Sequence, residues 1–244
     1  YKKCHVMSLR KEIEDASVVV ANHALLLSDL RMENTTLGEY NYLVVDEAHN
    51  LMASASKHLG SSLSYTDAIV LFNQLSSSSK KSRSGYLSQL TKALEKSVLT
   101  EEKKNQLSSQ AEHLAKVIDT AKAPLMDLFN LASAKCSAAN SYNKLRIKKV
   151  DEAGDIFHLL DTFSRCFKDI CNATQALHNI LSSMESQQVP AYEQHMENLD
   201  SFGMRLRETE GVILTILNPD LENYALWIEN NPKPDRNVPA AVLN

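Results

Sequence analysis

The sequence predicts a mainly α protein, an antiparallel helical bundle with a small α/β portion. Three observations carry that prediction. Three long segments place apolar residues at alternating steps of three and four, the spacing of a helix with one buried face. Glycine and proline number only six each in 244 residues, so little interrupts long helices. Two short apolar runs, 17–21 and 42–45, fall within the first sixty residues, as strands of part of an α/β layer would.

Composition narrows the class. The chain is 43% hydrophobic and 23% charged, with a formal net charge of −4. Those are the values of an ordinary globular protein. No global excess of positive charge advertises nucleic acid, so any such contact must be local. The four cysteines, Cys4, Cys136, Cys166 and Cys171, form no CxxC pair and no short secreted framework, and a reducing compartment is expected. Cys166 and Cys171 fall in an apolar helical seam and read as inert core thiols. No segment has the apolar length of a membrane span or the layout of a secretory leader. The chain opens without methionine inside a helical pattern, and we expect a piece of a longer protein.

Taken in order, residues 2–15 are charged, with Val6, Leu9 and Ile13 at helical spacing. A strand is expected at 17–21, then a turn at Asn22 and His23 into a helix through Leu27. Residues 31–40 read as a polar loop holding Gly38. A second strand at 42–45 precedes a helix from Ala48 to about Leu59. Beyond Gly60 the pattern turns helical. A helix is expected at 64–75, an exposed Ser/Lys-rich loop at 76–84 ending on Gly85, and a helix at about 86–98. Thr100, Glu101 and Glu102 mark another helix start, with acids favoured in the first turn.

The three seams follow. The first runs through Leu107, Ala111, Leu114, Ile118, Ala121, Leu125, Leu128 and Ala132, with Pro124 inside it expected to kink or break the helix. The second uses Ile156, Leu160, Phe163, Phe167, Ile170, Leu177, Leu181 and Met184. The third uses Tyr192, Met196, Leu199, Phe202, Leu206, Ile213 and Leu217. Asn218, Pro219 and Asp220 end it. An aromatic strand at 224–229 then returns the chain to a sheet, and 231–234 reads as a turn. The domain boundaries implied are 1–60, 61–221 and 222–244.

Chemistry concentrates in the run 42–51. Four mostly apolar residues lead into Asp46, Glu47, Ala48 and His49. At the carboxyl end of a buried strand, where open α/β sheets place ligands, one carboxylate can hold a Mg²⁺ that bridges nucleotide phosphates. A neighbouring carboxylate can position or activate water. A polar turn after a core strand is the plain alternative, and the full tetrapeptide behind an apolar run argues for a nucleotide site. The sequence has no Gly-x-x-x-x-Gly-Lys-Ser/Thr loop to cradle phosphates. Residues 150–154 imitate half of the tetrapeptide but follow Lys148 and Lys149, not an apolar strand, and read as a helix start.

The run 16–26, a short spacer and the run 42–51 together resemble the DinG branch of superfamily-two DNA helicases, relatives of the XPD-type repair helicases. The sharp match covers residues 4–52. In that family a helical arch domain is inserted into the first RecA-like motor domain just after the DEAH box, and the chain then returns to the motor sheet. The resemblance implies a partial motor domain at 1–60, an arch-like domain at 61–221 and a return at 222–244. It implies a parent that hydrolyses ATP with Mg²⁺ and translocates 5′ to 3′ on single-stranded or branched DNA in repair or replication. The expected setting is the bacterial cytoplasm, at the nucleoid. By the same resemblance, Asp46 reaches Mg²⁺, Glu47 activates or orients water, and His49 couples the nucleotide site to the motor. Asn22 and His23 match a family signature and are assigned no chemistry.

Many relatives carry a four-cysteine [4Fe–4S] cluster just upstream. Cys4, Arg10 and Val18 copy the spacing of its last cysteine, so Cys4 is either a cluster ligand in the parent or a thiol without a cluster. One thiolate cannot hold a cluster. For DNA phosphates the candidates are Lys80, Lys81 and Arg83, and Lys144, Arg146, Lys148 and Lys149, each cluster set against a solvated surface. Without the phosphate loop and a second motor domain, this stretch alone is expected to be inactive. A non-enzymatic helical protein-interaction module is the competing reading.

Overall fold

The computed structural model describes residues 5–32, 36–78, 83–139, 144–230 and 241–243. The chain divides into two compact units, Tyr1–Ser61 and Ser62–Asn244.

In the first unit the described elements are α1 (His5–Glu14), α2 (His23–Arg31), a 3₁₀ turn at Ala48–Asn50 and α3 (Leu51–His58). Asn22 starts α2, its Oδ1 accepting from the Leu25 N–H at 2.8 Å. Leu26 and Leu27 are buried. Neither expected strand forms. Residues 17–21 and 42–45 have no ladder partner among the described residues. Val18, Val20, Tyr42 and Val44 are 80%, 95%, 93% and 94% exposed. The reason is physical. A parallel strand is stable between neighbours that pair its edges and cover its faces. The described part of this unit supplies none.

The second unit is mainly α, as the periodicity predicts. It begins with β1 (Leu63–Ser64) and α4 (Tyr65–Leu75), whose first turn is capped by the Ser64 Oγ accepting from the Asp67 N–H at 3.1 Å. The expected exposed loop holds a small hairpin, β2 (Ser77–Ser78) and β3 (Arg83–Ser84). α5 (Tyr86–Glu95) follows Gly85. That glycine sits at φ +95°, and a Cβ there would lie 2.9 Å from the Asn73 carbonyl oxygen and 3.0 Å from that of Leu75. Only glycine lets α5 start so close to the end of α4.

α6 (Glu101–Ala139), α7 (Gly154–Ser182) and α8 (Tyr192–Leu217) are the three seams. Every predicted α6 and α7 seam residue is buried, as are Leu199, Leu206 and Ile213 of α8. The first two helices run antiparallel. Lys135 pairs with Asp155 at one end, and Gln110 Nε2 donates to the Ala173 carbonyl at 3.0 Å towards the other. Phe167 packs 5.7 Å from Phe163 and 6.1 Å from Phe72 of α4, ring centre to ring centre. Of the kink or break expected at Pro124, the break does not occur: α6 runs on through it. Ala121, Leu125 and Leu128 around it are fully buried, and packing on both sides outweighs the one helical hydrogen bond that proline forfeits.

A four-stranded antiparallel sheet joins β1, β6 (Ala241–Leu243), β5 (Leu226–Asn230) and β4 (Lys144–Ile147) in that order. The strand expected at 224–229 is β5. Its Leu226 and Ile228 face inward with Ile147, Leu63 and Leu243. Asn230 docks β5 on α6, its Nδ2 donating to the Ser137 hydroxyl at 3.0 Å and the Ser133 carbonyl at 3.3 Å. Among the described residues no helix is long and apolar enough to cross a membrane.

Candidate functional site

The residues 46–49 form a tight solvent-facing turn. Asp46 Oδ1 accepts the Glu47 N–H at 2.9 Å. The Glu47 carbonyl accepts the Asn50 N–H at 2.8 Å and closes the 3₁₀ turn. Glu47 itself stands at φ 50°, ψ 43°, in the left-handed region. A non-glycine residue there costs about 1–2 kcal/mol. The turn aims the Glu47 and His49 side chains at each other, with Oε2 and Nδ1 3.4 Å apart. The two side chains are 66% and 72% exposed.

Three of the sequence-selected residues are therefore together on one turn, and a fourth joins them. His23 Nε2 lies 3.0 Å from the backbone oxygen of Asp46, 23 residues away in sequence. This contact ties the start of α2 to the turn. Sequence reading singled out Asn22 and His23 without a role. The structure gives the first as the cap of α2 and the second as a prop of the turn. Asp29, on α2, was missed. It is only 1% exposed, and its Oδ1 accepts the Thr36 N–H at 2.6 Å, anchoring the residues that follow the helix.

Asp46 suits Mg²⁺ by its chemistry. It is an exposed carboxylate, and one oxygen is fixed by its own backbone turn. Magnesium is commonly held by one or two carboxylates together with substrate phosphates and water. Asp46 alone is not a closed cage. Among the described residues, no group of three or more His, Cys, Asp or Glu side chains is placed to hold a metal ion.

The cysteines fit an iron–sulphur cluster less well. Cys4 lies outside the described residues. Cys136 is buried on α6, with its thiol donating to the Ile228 carbonyl at 3.6 Å. Cys166 and Cys171 are half-buried on α7. Burial, with Glu210 nearby, pushes the Cys171 thiol up to about 12, the opposite of a ready thiolate ligand. These three thiols do not converge on one site.

The two basic clusters part company. Lys80 and Lys81 lie outside the described residues, and Arg83 belongs to β3. Lys144 and Arg146 lie on β4, with Lys148 and Lys149 just beyond, and all four are exposed. Lys144 pairs with Glu229 at 3.0 Å.

No protein-family model matches the chain. A stretch of it is similar to two curated proteins, each named ATP-dependent DNA helicase YoaA. The protein of Escherichia coli (strain K12) is 43% identical over 68 residues, and that of Haemophilus influenzae is 37% identical over 67. Each match covers 26% of this chain, and 11% and 10% of the two helicases. The chain thus spans about a tenth of the length of the curated relatives it matches.

Proposed function

We propose that this chain is part of an ATP-dependent DNA helicase of the DinG-like, XPD-related branch. Residues 1–60 supply the DEAH half of a motor-domain nucleotide site. Residues 61–221 form the arch-like domain, and 222–244 lead back towards the motor. The carrying observation is the turn 46–49, where Asp46, Glu47 and His49 are held at one exposed loop by a left-handed glutamate. A turn with no task beyond reversing the chain would more cheaply use glycine at that φ.

When bound, Mg²⁺ neutralises charge on the nucleotide phosphates. Asp46 is the residue that would hold it. Glu47 orients and activates the attacking water, and its exposed carboxylate, with Oε2 facing His49, accepts a proton from it. His49, beside Glu47, couples the occupied site to the rest of the motor. His23 props the turn through the Asp46 backbone. DNA phosphates are met by Lys144, Arg146, Lys148 and Lys149, and by Lys80, Lys81 and Arg83.

The native reading frame on both sides of this stretch tests the proposal. A phosphate-binding loop upstream and further motor motifs downstream are expected, and the same read counts the cysteines ahead of Cys4. Native ends at Tyr1 and Asn244 would leave half a nucleotide site with nothing to complete it. The interaction-module reading would then replace the helicase.

A further inference from the structure

The outer face of the β4–β5 ribbon has a composition that its role in the fold does not explain. Leu145 and Ile147 of β4, and Leu226 and Ile228 of β5, turn towards the core. The alternate positions put Lys144, Arg146, Trp227 and Glu229 on the other face. Arg146 is directly opposite Trp227 in the ladder, and Lys144 is opposite Glu229. Trp227 is half-buried and takes no part in the apolar core. It is the single tryptophan in the chain. The Glu229 carboxylate accepts from the indole Nε1–H at 3.4 Å and pairs with Lys144, so one acid steadies both neighbours.

The charges are unequal. Arg146, Lys148 and Lys149 form no ion pair among the described residues. Three acids follow in sequence: Asp155 pairs with Lys135, and Asp151 and Glu152 lie exposed in the 3₁₀ turn that leads into α7. β4 is also an edge strand of its sheet among the described residues. Lysine on an edge strand discourages strand pairing between molecules. That function does not call for an aromatic ring on the same face.

We infer that this face binds single-stranded DNA, with Trp227 as a stacking surface for a base and Arg146, Lys148 and Lys149 on the adjoining phosphates. The inference rests on the helicase reading and adds to its phosphate contacts a stacking surface for a base. An aromatic ring beside cations that form no ion pair among the described residues fits a strand whose bases are free to stack, and it does not need base-edge readout. Paired bases offer no free ring face. Duplex DNA is therefore expected to bind more weakly than a single strand of equal charge.

The 244-residue chain is titrated with fluorescein-labelled dT20, followed by anisotropy and by Trp227 emission. The expected result is saturable binding with quenched emission. The affinity falls with salt at a log–log slope of about −2, for three phosphates. Trp227→Ala is expected to weaken binding about 10- to 100-fold, while Trp227→Phe keeps most of it. The double change Lys148→Gln, Lys149→Gln should lower the slope by about 1.4. A folded Trp227→Ala protein that binds dT20 like the wild type would overturn the inference. So would binding with no change in emission, and in both cases the helicase reading stands with DNA held elsewhere. Equal quenching by polyglutamate overturns it as well, marking a general polyanion surface. Absence of dT20 binding overturns the inference and removes DNA contact from the arch-like region.

Discussion

Glu47 shows where residue-scale physics meets the proposed chemistry. Its left-handed backbone is held by the Asp46 carboxylate on one side and the Asn50 amide on the other. The residue types of this turn were legible in the sequence, and its shape was not. No rule of spacing gives a glutamate φ 50°, nor does it bring His23 to the Asp46 carbonyl across 23 residues.

A second residue makes a testable statement about pH. His195 on α8 is 7% exposed, its ring 5.7 Å from that of Tyr86, and Nδ1 has no hydrogen-bond partner among the described residues. Burial lowers its pKa below the ordinary histidine value of 6.5. The unfolded chain therefore takes up the proton first as pH falls. The stabilisation is fully present above pH 6.5 and is lost as pH drops through the depressed folded value. Thermal melts between pH 7.5 and about 5 should show a falling midpoint. That fall should flatten in His195→Met. An equal slope in the variant would place the titration elsewhere.

At the scale of elements, the helices were the easiest part to read. Eight residues of α6 and seven of α7 recur at helical spacing, and all are buried. Pro124 does not break α6 because its local penalty is smaller than the packing of a helix fixed along its length. The short strands escaped for a related reason. β1, β4 and β6 span two to four residues and carry too little pattern to be seen alone. Phe167 tests the packing account, since it bridges Phe163 and Phe72 with no exposed surface. Phe167→Ala should cost about 3–5 kcal/mol in urea unfolding. Leu214→Ala, on a half-exposed site of α8, should fall within about 0.5 kcal/mol of wild type. Comparable losses would refute the core as described.

Across the whole molecule the two units differ in kind. The second has a closed apolar core, and its sheet is docked on α6. The first has apolar runs at 17–21 and 42–45 that form no ladder among the described residues. The apolar runs read as strands because their residue types suit a buried strand, yet a strand needs neighbours that sequence pattern alone does not provide. Hydrogen exchange on this chain should therefore find slow amides along 107–132 and 156–181, and fast ones at 17–21 and 42–45. Protection at 42–45 would show that the run finds a partner.

The central claim is that the turn at 46–49 serves ATP hydrolysis, and one substitution reaches it most directly. Glu47→Gln, placed in the complete protein, keeps the turn and its size but removes the group proposed to accept the proton from water. DNA-stimulated ATP turnover and nucleotide binding are measured side by side. The expected result is ATP bound as in the wild type, with turnover reduced by a factor of about 100 or more. Turnover unchanged by the substitution would contradict the account.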